Sequence, residues 1–568
     1  MCDVPRGVLK PAWLVWFFLS LILAGYVASI VRLHPTNFFG ATEDDSIYFS
    51  SAKALAEGRG YILPSVPGNP PATKYPILYP LILSAVWKLN PLFPANLPWA
   101  IAITVAFGFV YIVTGFFFLR RLQVLHDAEV LLLTAFCAFH PVVLFYSASV
   151  LSDIPFAALA LVAMLLADSM FKPAARPQFA VLCGVVAGLS MMMRMFGLAI
   201  VAGVSLAAVV CRAWKQMLLF AAAVAPFFLF IAWRTVHRTV TAAPVSADWA
   251  NSPGWVNAWA YYTSYYSIWK VGVPSAHIFG SIISNNLGLL IIGPADLFLS
   301  PLLVTESGFV KTFAALLFFT IVFSGTARQA KIGGWKPIHY ILPLYAALIV
   351  SWNYPDAGNR FLLPFAFLLV AGAWIELRNI FFLLQIKLFA RTSTLPERAL
   401  AVILSAAVLF VGFVTTLAYT AKDPGKLLWL SQQRGSILTE KREAYQWLAD
   451  KHSREPVLAY EDANVYLYSG QTAMRPVLFA TSAMYDSVPL NQSLCHVMDI
   501  GSALNASYWL FSQDDYSVDF QKAADALKHC LGPSGPAEMP LAFSSMDGHV
   551  VIRSLRGSYD TNLCKPMD

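Results

Sequence analysis

Three consecutive carboxylates, Glu43, Asp44 and Asp45, head the stretch 41–80, ATEDDSIYFSSAKALAEGRGYILPSVPGNPPATKYPILYP. Residues 46–57 have the spacing of a short amphipathic helix, with Ile47, Ala54 and Leu55 as apolar contacts and Gly58 as its stop. Asp44 and Asp45 then fall at or just before the helix N-terminus, where carboxylates cap orphan N–H groups and meet the positive end of the dipole. One cap needs one acid. Three adjacent like charges repel, so the excess asks for a cation, a basic ligand or a proton-transfer role. Lys74, in Thr73-Lys74-Tyr75-Pro76, precedes the next apolar stretch. It reads first as a snorkelling anchor at a membrane interface and second as a phosphate clamp at headgroup level. Asp153, in Ser152-Asp153-Ile154-Pro155, opens a further apolar run and is either an N-cap or a partner of the first acids. Arg360 opens a late apolar run, while Arg234, His237 and Arg238 close an earlier one. On the outer face such arginines run against the positive-inside tendency. Each therefore asks for an anion, a lipid headgroup phosphate or a substrate phosphate.

The elements that carry these residues are membrane helices. Of 568 residues, 58% are hydrophobic and 12% charged, about half the charge of a soluble domain, and the mean hydropathy is +0.61. A soluble enzyme, a disordered chain and a nucleic-acid binder are excluded together. The net charge of +7, from 39 basic and 32 acidic residues, reads as an orientation signal. Seven cysteines are too few for a disulfide scaffold. The first apolar run, 12–31, is long enough to cross a bilayer; Arg6 and Lys10 precede it and no cleavage site follows. It is expected to be an uncleaved helix with a cytoplasmic N-terminus.

Further spans are expected near 98–119, 129–147, 154–171, 178–194, 196–211, 215–233, 309–326, 337–352, 360–376 and 399–419. Two other apolar stretches, 77–95 and 278–301, are interrupted by proline, asparagine or charge. With neither crossing, the cytoplasmic side collects Arg120, Arg121, Lys172, Arg176, Arg212, Lys215, Arg328, Lys331, Lys336, Lys387, Arg391 and Arg398. With both crossing, three of those clusters move outside, so positive-inside charge favours eleven helices over thirteen. Both counts put the C-terminus outside.

The extracytoplasmic face then receives the loop 32–76 and the aromatic segment 235–277, with Trp249, Trp255, Trp259, Tyr261, Tyr262, Tyr265, Tyr266 and Trp269. That segment is an interfacial belt or the floor of a sugar or lipid groove. Residues 420–568 form the third external piece, much more polar, and read as a small α/β domain. Its predicted elements are helices at 443–451 and 520–530, short strands at 456–460 and 507–511, and a hairpin of 541–544 with 549–555. Cys495, Cys530 and Cys564 lie in it, with no spacing that singles out a pair. Asn491 and Asn505 head glycosylation-type triplets, a pattern too common to decide the compartment.

In this order along one chain, the acidic pair of the first external loop, Gly58-Arg59-Gly60-Tyr61, Lys74-Tyr75-Pro76, Tyr79-Pro80 and Ser152-Asp153-Ile154-Pro155 resemble integral-membrane glycosyltransferases of the GT-C type. The similarity is to the protein mannosyltransferase and lipid A aminoarabinose transferase group. It covers roughly 10–240 and is looser through Arg360, with Trp447-Leu448, 456–460 and 465–470 adding to it. The resemblance implies a transmembrane catalytic domain over 1–419, with about 11–13 helices, and an extracytoplasmic α/β domain over 420–568. It implies a bacterial inner membrane setting. It carries the family's catalytic aspartate onto Asp44, with Asp45 beside it as a second catalytic acid and with Tyr48, four residues after Asp44, and Tyr75 as substrate-binding residues. The lysine before a proline falls on Lys74, although Tyr75 intervenes where proline often stands; the second-loop aspartate falls on Asp153. Arg360, and more remotely Arg234, match a substrate-binding arginine.

The implied activity is a hexosyl or pentosyl transfer from a polyprenyl-phosphate sugar to a hydroxyl of a lipid, glycan or protein, with no nucleic acid involved. Attack on the anomeric carbon passes through an oxocarbenium-like transition state and needs a general base, for which Asp44 is the choice. The departing phosphate needs positive charge, from Lys74 and Arg360 or from a divalent cation (Mg, Mn or Zn) on Asp45 and Asp153. Three alternatives stand beside this. A transporter or lipid flippase would show repeats and midplane ionisable groups, whereas these acids cluster at one surface. A sensor or assembly factor would explain the tail and leave the first-loop acids unused. A cell-envelope polymerase or ligase is closer in chemistry.

Overall fold

The computed structural model describes residues 13–172, 175–236, 245, 253–263, 276–303, 308–352, 359–389, 402–408, 410, 414, 432–451, 455–476, 497–515 and 539–555. His237, Arg238, Trp249, Tyr265, Tyr266, Trp269, the three tail cysteines, Asn491, the predicted helix 520–530 and most of 399–419 lie outside the described residues. The chain divides into two compact units. One takes 1–35, 101–232 and 283–428; the other takes 36–100, 233–282 and 429–568.

The first unit is helical. Apolar side chains all round a helix leave it no polar face for water, and such helices stack on one another or face lipid. Six described helices, Trp13–Arg32, Leu97–Arg121, Asp153–Met170, Trp214–Val236, Thr312–Gly333 and Arg360–Leu384, are long and apolar enough to cross a membrane. A seventh span is counted if the pair Asp127–Ala138 and Pro141–Ala148, bent by 55°, is taken as one. The bend has a local cause. Pro141 offers no N–H to the preceding turn, and the His140 Nδ1 accepts the Val142 N–H at 3.3 Å, restarting the helix in a new direction. Close approach is made by small residues: a Cβ on Gly325 would fall 1.8 Å from the Gly372 carbonyl oxygen, so Gly308–Gly333 and Ala366–Phe389 touch backbone to backbone.

Two stretches that sequence reading treats alike separate here. The stretch 77–95 forms only Leu78–Leu89, 12 residues or about 18 Å, and falls in the second unit. The stretch 278–301 lies inside the helix Ala276–Leu303, 28 residues, of which Phe279–Ala295 is a shorter apolar helix and not one of the candidate spans among the described residues.

The second unit is built on a five-stranded sheet, order β2-β1-β3-β5-β4. Here β1 is Val457–Leu458, β2 Ala473–Met474, β3 Tyr508–Ser512, β4 Leu541–Ser544 and β5 Val550–Ser554. β1 runs parallel to β2 and β3; β3, β5 and β4 are antiparallel. Side chains alternate across it. Leu510, Val550 and Ile552 face Ile437, Tyr445 and Leu448 of the helix Gln432–Asp450. On the opposite face Trp509 and Phe511 share one core with Ile47, Val66, Trp255 and Tyr262. The first-loop segment also reaches the sheet edge, where the Ser65 carbonyl accepts the Ala473 N–H at 2.7 Å. Residues from all three stretches thus make a single fold, and that fold holds the first-loop acids in place.

Candidate functional site

The helix Asp44–Ala56 starts two residues earlier than its sequence spacing predicts. Glu43 is its N-cap residue, at φ 58°, and caps nothing with its side chain. Asp44 and Asp45 form the first turn, where the dipole favours negative charge. The three acids avoid mutual repulsion by turning to three different partners.

Glu43 pairs with the buried Arg475, which follows β2. Arg475 also stands 3.7 Å from Asp462 and stacks on Tyr261 and Tyr460, 5.0 and 4.6 Å from the ring centres. Burial pushes its guanidinium down to about 9, still a cation at neutral pH. Asp462 accepts from Ser65 at 2.6 Å and Tyr262 at 3.2 Å; burial outweighs those bonds and raises it to about 6.

Asp45 is 2% exposed. Its two oxygens accept backbone N–H groups from Gly40 at 2.8 Å and Ser46 at 2.7 Å. Burial nonetheless lifts it to about 7, against those two bonds and helped by the charges of Asp44 and Glu461.

Asp44 meets the two groups that sequence reading placed near it. Its Oδ1 takes the Tyr75 hydroxyl as a short hydrogen bond and the Lys74 ammonium at 3.3 Å. Both members of the ion pair stay partly accessible, 17% for Asp44 and 18% for Lys74. Lys74 also donates to the Tyr261 hydroxyl at 3.3 Å. Tyr48, one turn along the helix, is buried and packs its ring 4.5 Å from Tyr75 and 5.2 Å from Tyr79. Tyr61 donates to the Tyr75 carbonyl at 3.0 Å, fixing the segment that carries Lys74 and Tyr75. Arg234 completes that support. It donates to the Ala72 carbonyl at 2.6 Å and lies 4.2 Å over the Tyr61 ring.

Asp153 and Arg360 belong to the first unit. Asp153 opens Asp153–Met170, is 3% exposed and is paired with Arg194. Arg194 in turn lies 5.2 Å from the Phe361 ring, next to Arg360, which stacks on the same ring at 5.2 Å. Each member of the carboxylate pair suggested for a cation is therefore engaged inside its own unit, Asp45 by backbone donors and Asp153 by a guanidinium. A metal ion there would have to displace those partners.

Arg475, Asp462 and Arg194 are the residues the sequence does not single out, and Tyr261 stands there only as one of an aromatic segment. Glu43 was visible as the third acid; Arg475 and Arg194 carry no motif, and only the fold shows what they face.

The sequence matches no protein-family model and none of the curated proteins. Solved structures do match. ArnT from Cupriavidus metallidurans bound to undecaprenyl phosphate superposes with a TM-score of 0.50 at 12% identity, covering 93% of this chain and 98% of that one. The archaeal oligosaccharyltransferase AglB from Archaeoglobus fulgidus, in complex with an inhibitory peptide and a dolichol-phosphate, gives 0.50 at 13% identity over 96% of this chain and 75% of its own. Both are GT-C glycosyltransferases. The chain has the GT-C fold. It is a polytopic helical membrane protein with a small C-terminal sheet domain.

Proposed function

We propose that the protein is a glycosyltransferase that moves a sugar from a polyprenyl phosphate to an acceptor hydroxyl on the extracytoplasmic face, with Asp44 as general base. One observation carries this reading: Lys74 and Tyr75 converge on one carboxylate oxygen of the partly accessible Asp44 in a chain of GT-C fold. The polyprenyl phosphates held by ArnT and AglB support the donor class.

The step is a displacement at the anomeric carbon. The acceptor oxygen forms the new C–O bond while its proton passes to Asp44. The bond from the anomeric carbon to the phosphate oxygen breaks, and the electron pair leaves on polyprenyl phosphate. Lys74 serves two partners in turn. Without substrate its ammonium balances Asp44; when the donor phosphate arrives, the ammonium moves to it, stabilising the leaving charge and freeing the carboxylate to accept a proton. Tyr75 holds the carboxylate oriented meanwhile. The acid next door stays out of the exchange, because Asp45 has both oxygens on backbone N–H groups.

The test uses the full-length protein in membranes with a panel of radiolabelled polyprenyl-phosphate hexoses and pentoses. Transfer of label to an acceptor with stoichiometric release of polyprenyl phosphate is the expected result. Label that changes leaflet with its phosphate still attached would identify a transporter and overturn the reading.

A further inference from the structure

At one end of the helical unit, a cavity of about 580 Å³ opens among helix ends. Its charged lining is Arg120, Arg121, Lys172 and Lys336 with Asp127 and Asp168. Arg120 pairs with Asp127 at 3.1 Å. Arg121 and Lys336 share Asp168 at 3.7 and 3.2 Å. Lys172 has no carboxylate within ion-pair distance among the described residues. The cavity therefore holds two more cations than carboxylates, and one carboxylate serves two of them. Concave walls focus that excess on whatever enters.

Its depth in the bilayer follows from the helices that end there. Arg120 and Arg121 close the span Leu97–Arg121, Phe171 and Lys172 follow Asp153–Met170, and Gly333 ends Thr312–Gly333. Three apolar spans stop together, so the cavity lies where hydrocarbon gives way to headgroups. Trp335, 69% exposed, stands at its rim with Tyr340, the aromatic type that settles at that level. Phe117 and Leu125 supply apolar wall beside the charges. The volume lies within the range of small-molecule sites.

We propose that this cavity binds a phosphate-bearing anion, in the membrane the diester headgroup of an anionic phospholipid. Arg120 and Lys172 are the contacts to remove, because both are solvent-exposed and neither lies in the packed interior. The experiment exposes purified full-length protein to equimolar phosphatidylglycerol and phosphatidylcholine and compares retained lipid by native mass spectrometry. The wild type should retain several-fold more phosphatidylglycerol, and Arg120→Gln and Lys172→Gln should each reduce that preference by about fivefold, with unchanged unfolding temperature. A parallel arm adds inorganic phosphate, against chloride at equal ionic strength, to lipid-free protein in detergent. If millimolar phosphate stabilises the wild type and not the double variant, the site stands and its anion comes from solution. Equal retention of both lipids together with no effect of phosphate overturns the proposal and leaves a solvated basic rim.

Discussion

Asp44 and Asp153 look alike in the sequence, each an acid in the first turn of a helix, yet the structure treats them in opposite ways. Asp44 keeps 17% of its side chain accessible and faces an ammonium on a flexible stem and a phenol. Asp153 is 3% exposed and closed against the guanidinium of Arg194, which stacks on Phe361. A base must gain and lose a proton next to substrate, so it needs a carboxylate that stays partly accessible and partners that can move. A buried Arg–Asp pair has neither. The helix N-terminus supplies the same dipole to both, so the partner and its mobility decide what each acid does.

Two substitutions separate these roles. Asp44→Asn should cut sugar transfer by about 10²–10⁴-fold, the usual worth of a general base, while thermal unfolding in detergent changes by roughly 0–1 kcal/mol, as for a solvent-screened pair. Asp153→Asn should do the reverse. It removes the charge that faces Arg194, 14% exposed, from a carboxylate that is itself 3% exposed, and should cost up to about 3–5 kcal/mol of stability, with transfer per folded molecule changed far less. A stable Asp153→Asn protein without activity would move Asp153 into the chemistry and remove the contrast.

What the sequence allowed to be read follows from which forces are local. Crossing a bilayer takes about 20 apolar residues in a row, so runs such as 98–119 and 154–171 announced their helices. In the tail, 456–460 and 507–511 announced β1 and β3, because buried strands are short apolar runs between polar turns. Lys74 and Tyr75 lay close enough to Asp44 in the chain for one loop to bring all three together. Ion pairing across the fold leaves no such trace. Arg475 meets Glu43 from 432 positions further along the chain, and neither Met474 nor Pro476 beside it hints at a carboxylate. Arg194 likewise follows Met193 at an ordinary helix end. Arg234 asked for an anion when read alone and found a carbonyl, because the Ala72 oxygen came within 2.6 Å. The helix Ala276–Leu303 was obscured by Asn285 and Asn286, polar residues a packed helix can accommodate: the Asn286 amide donates to the Trp352 carbonyl.

The acids beside Asp44 extend the comparison to pH. Asp45, raised to about 7, and Asp462, raised to about 6, are protonated more readily when folded than their ordinary value of 3.8. Asp515, raised to about 8 by burial, behaves alike. For each, the folded protein binds more protons than the unfolded chain between 3.8 and the raised value. Their stabilising effect is therefore full below about pH 4 and lost as pH climbs through the folded value. Unfolding temperature should fall from pH 5 to pH 8 through these groups, each contributing on the order of 1 kcal/mol per pH unit within its window. Asp45→Asn should flatten its share, which ends near pH 7. A melting temperature that rises over that range, with Asp45→Asn behaving as wild type, would show that burial does not govern these carboxyls.

The smallest effect is expected from removing metal. Positive charge for the leaving phosphate has two candidate sources, Lys74 or a divalent cation on Asp45 and Asp153. The partner contrast bears on both acids. Asp45 has its oxygens on the Gly40 and Ser46 N–H groups, which a cation would have to displace. Asp153 already faces a full positive charge on Arg194, and a second cation at the same oxygens would be repelled. Lys74, by comparison, is 18% exposed, carries its charge on a movable stem and stands 3.3 Å from the proposed base, where the proposed donor phosphate would come. Transfer measured after EDTA treatment and after adding back Mg²⁺, Mn²⁺ or Zn²⁺ should stay within about twofold of the untreated rate if, as proposed, Lys74 supplies the electrostatic stabilisation. Lys74→Gln should then lose transfer under every one of those conditions. Activity abolished by EDTA and restored by one metal ion in the wild type would reassign the phosphate charge to a cation and make Lys74 the anchor that its place beside an apolar helix first suggests.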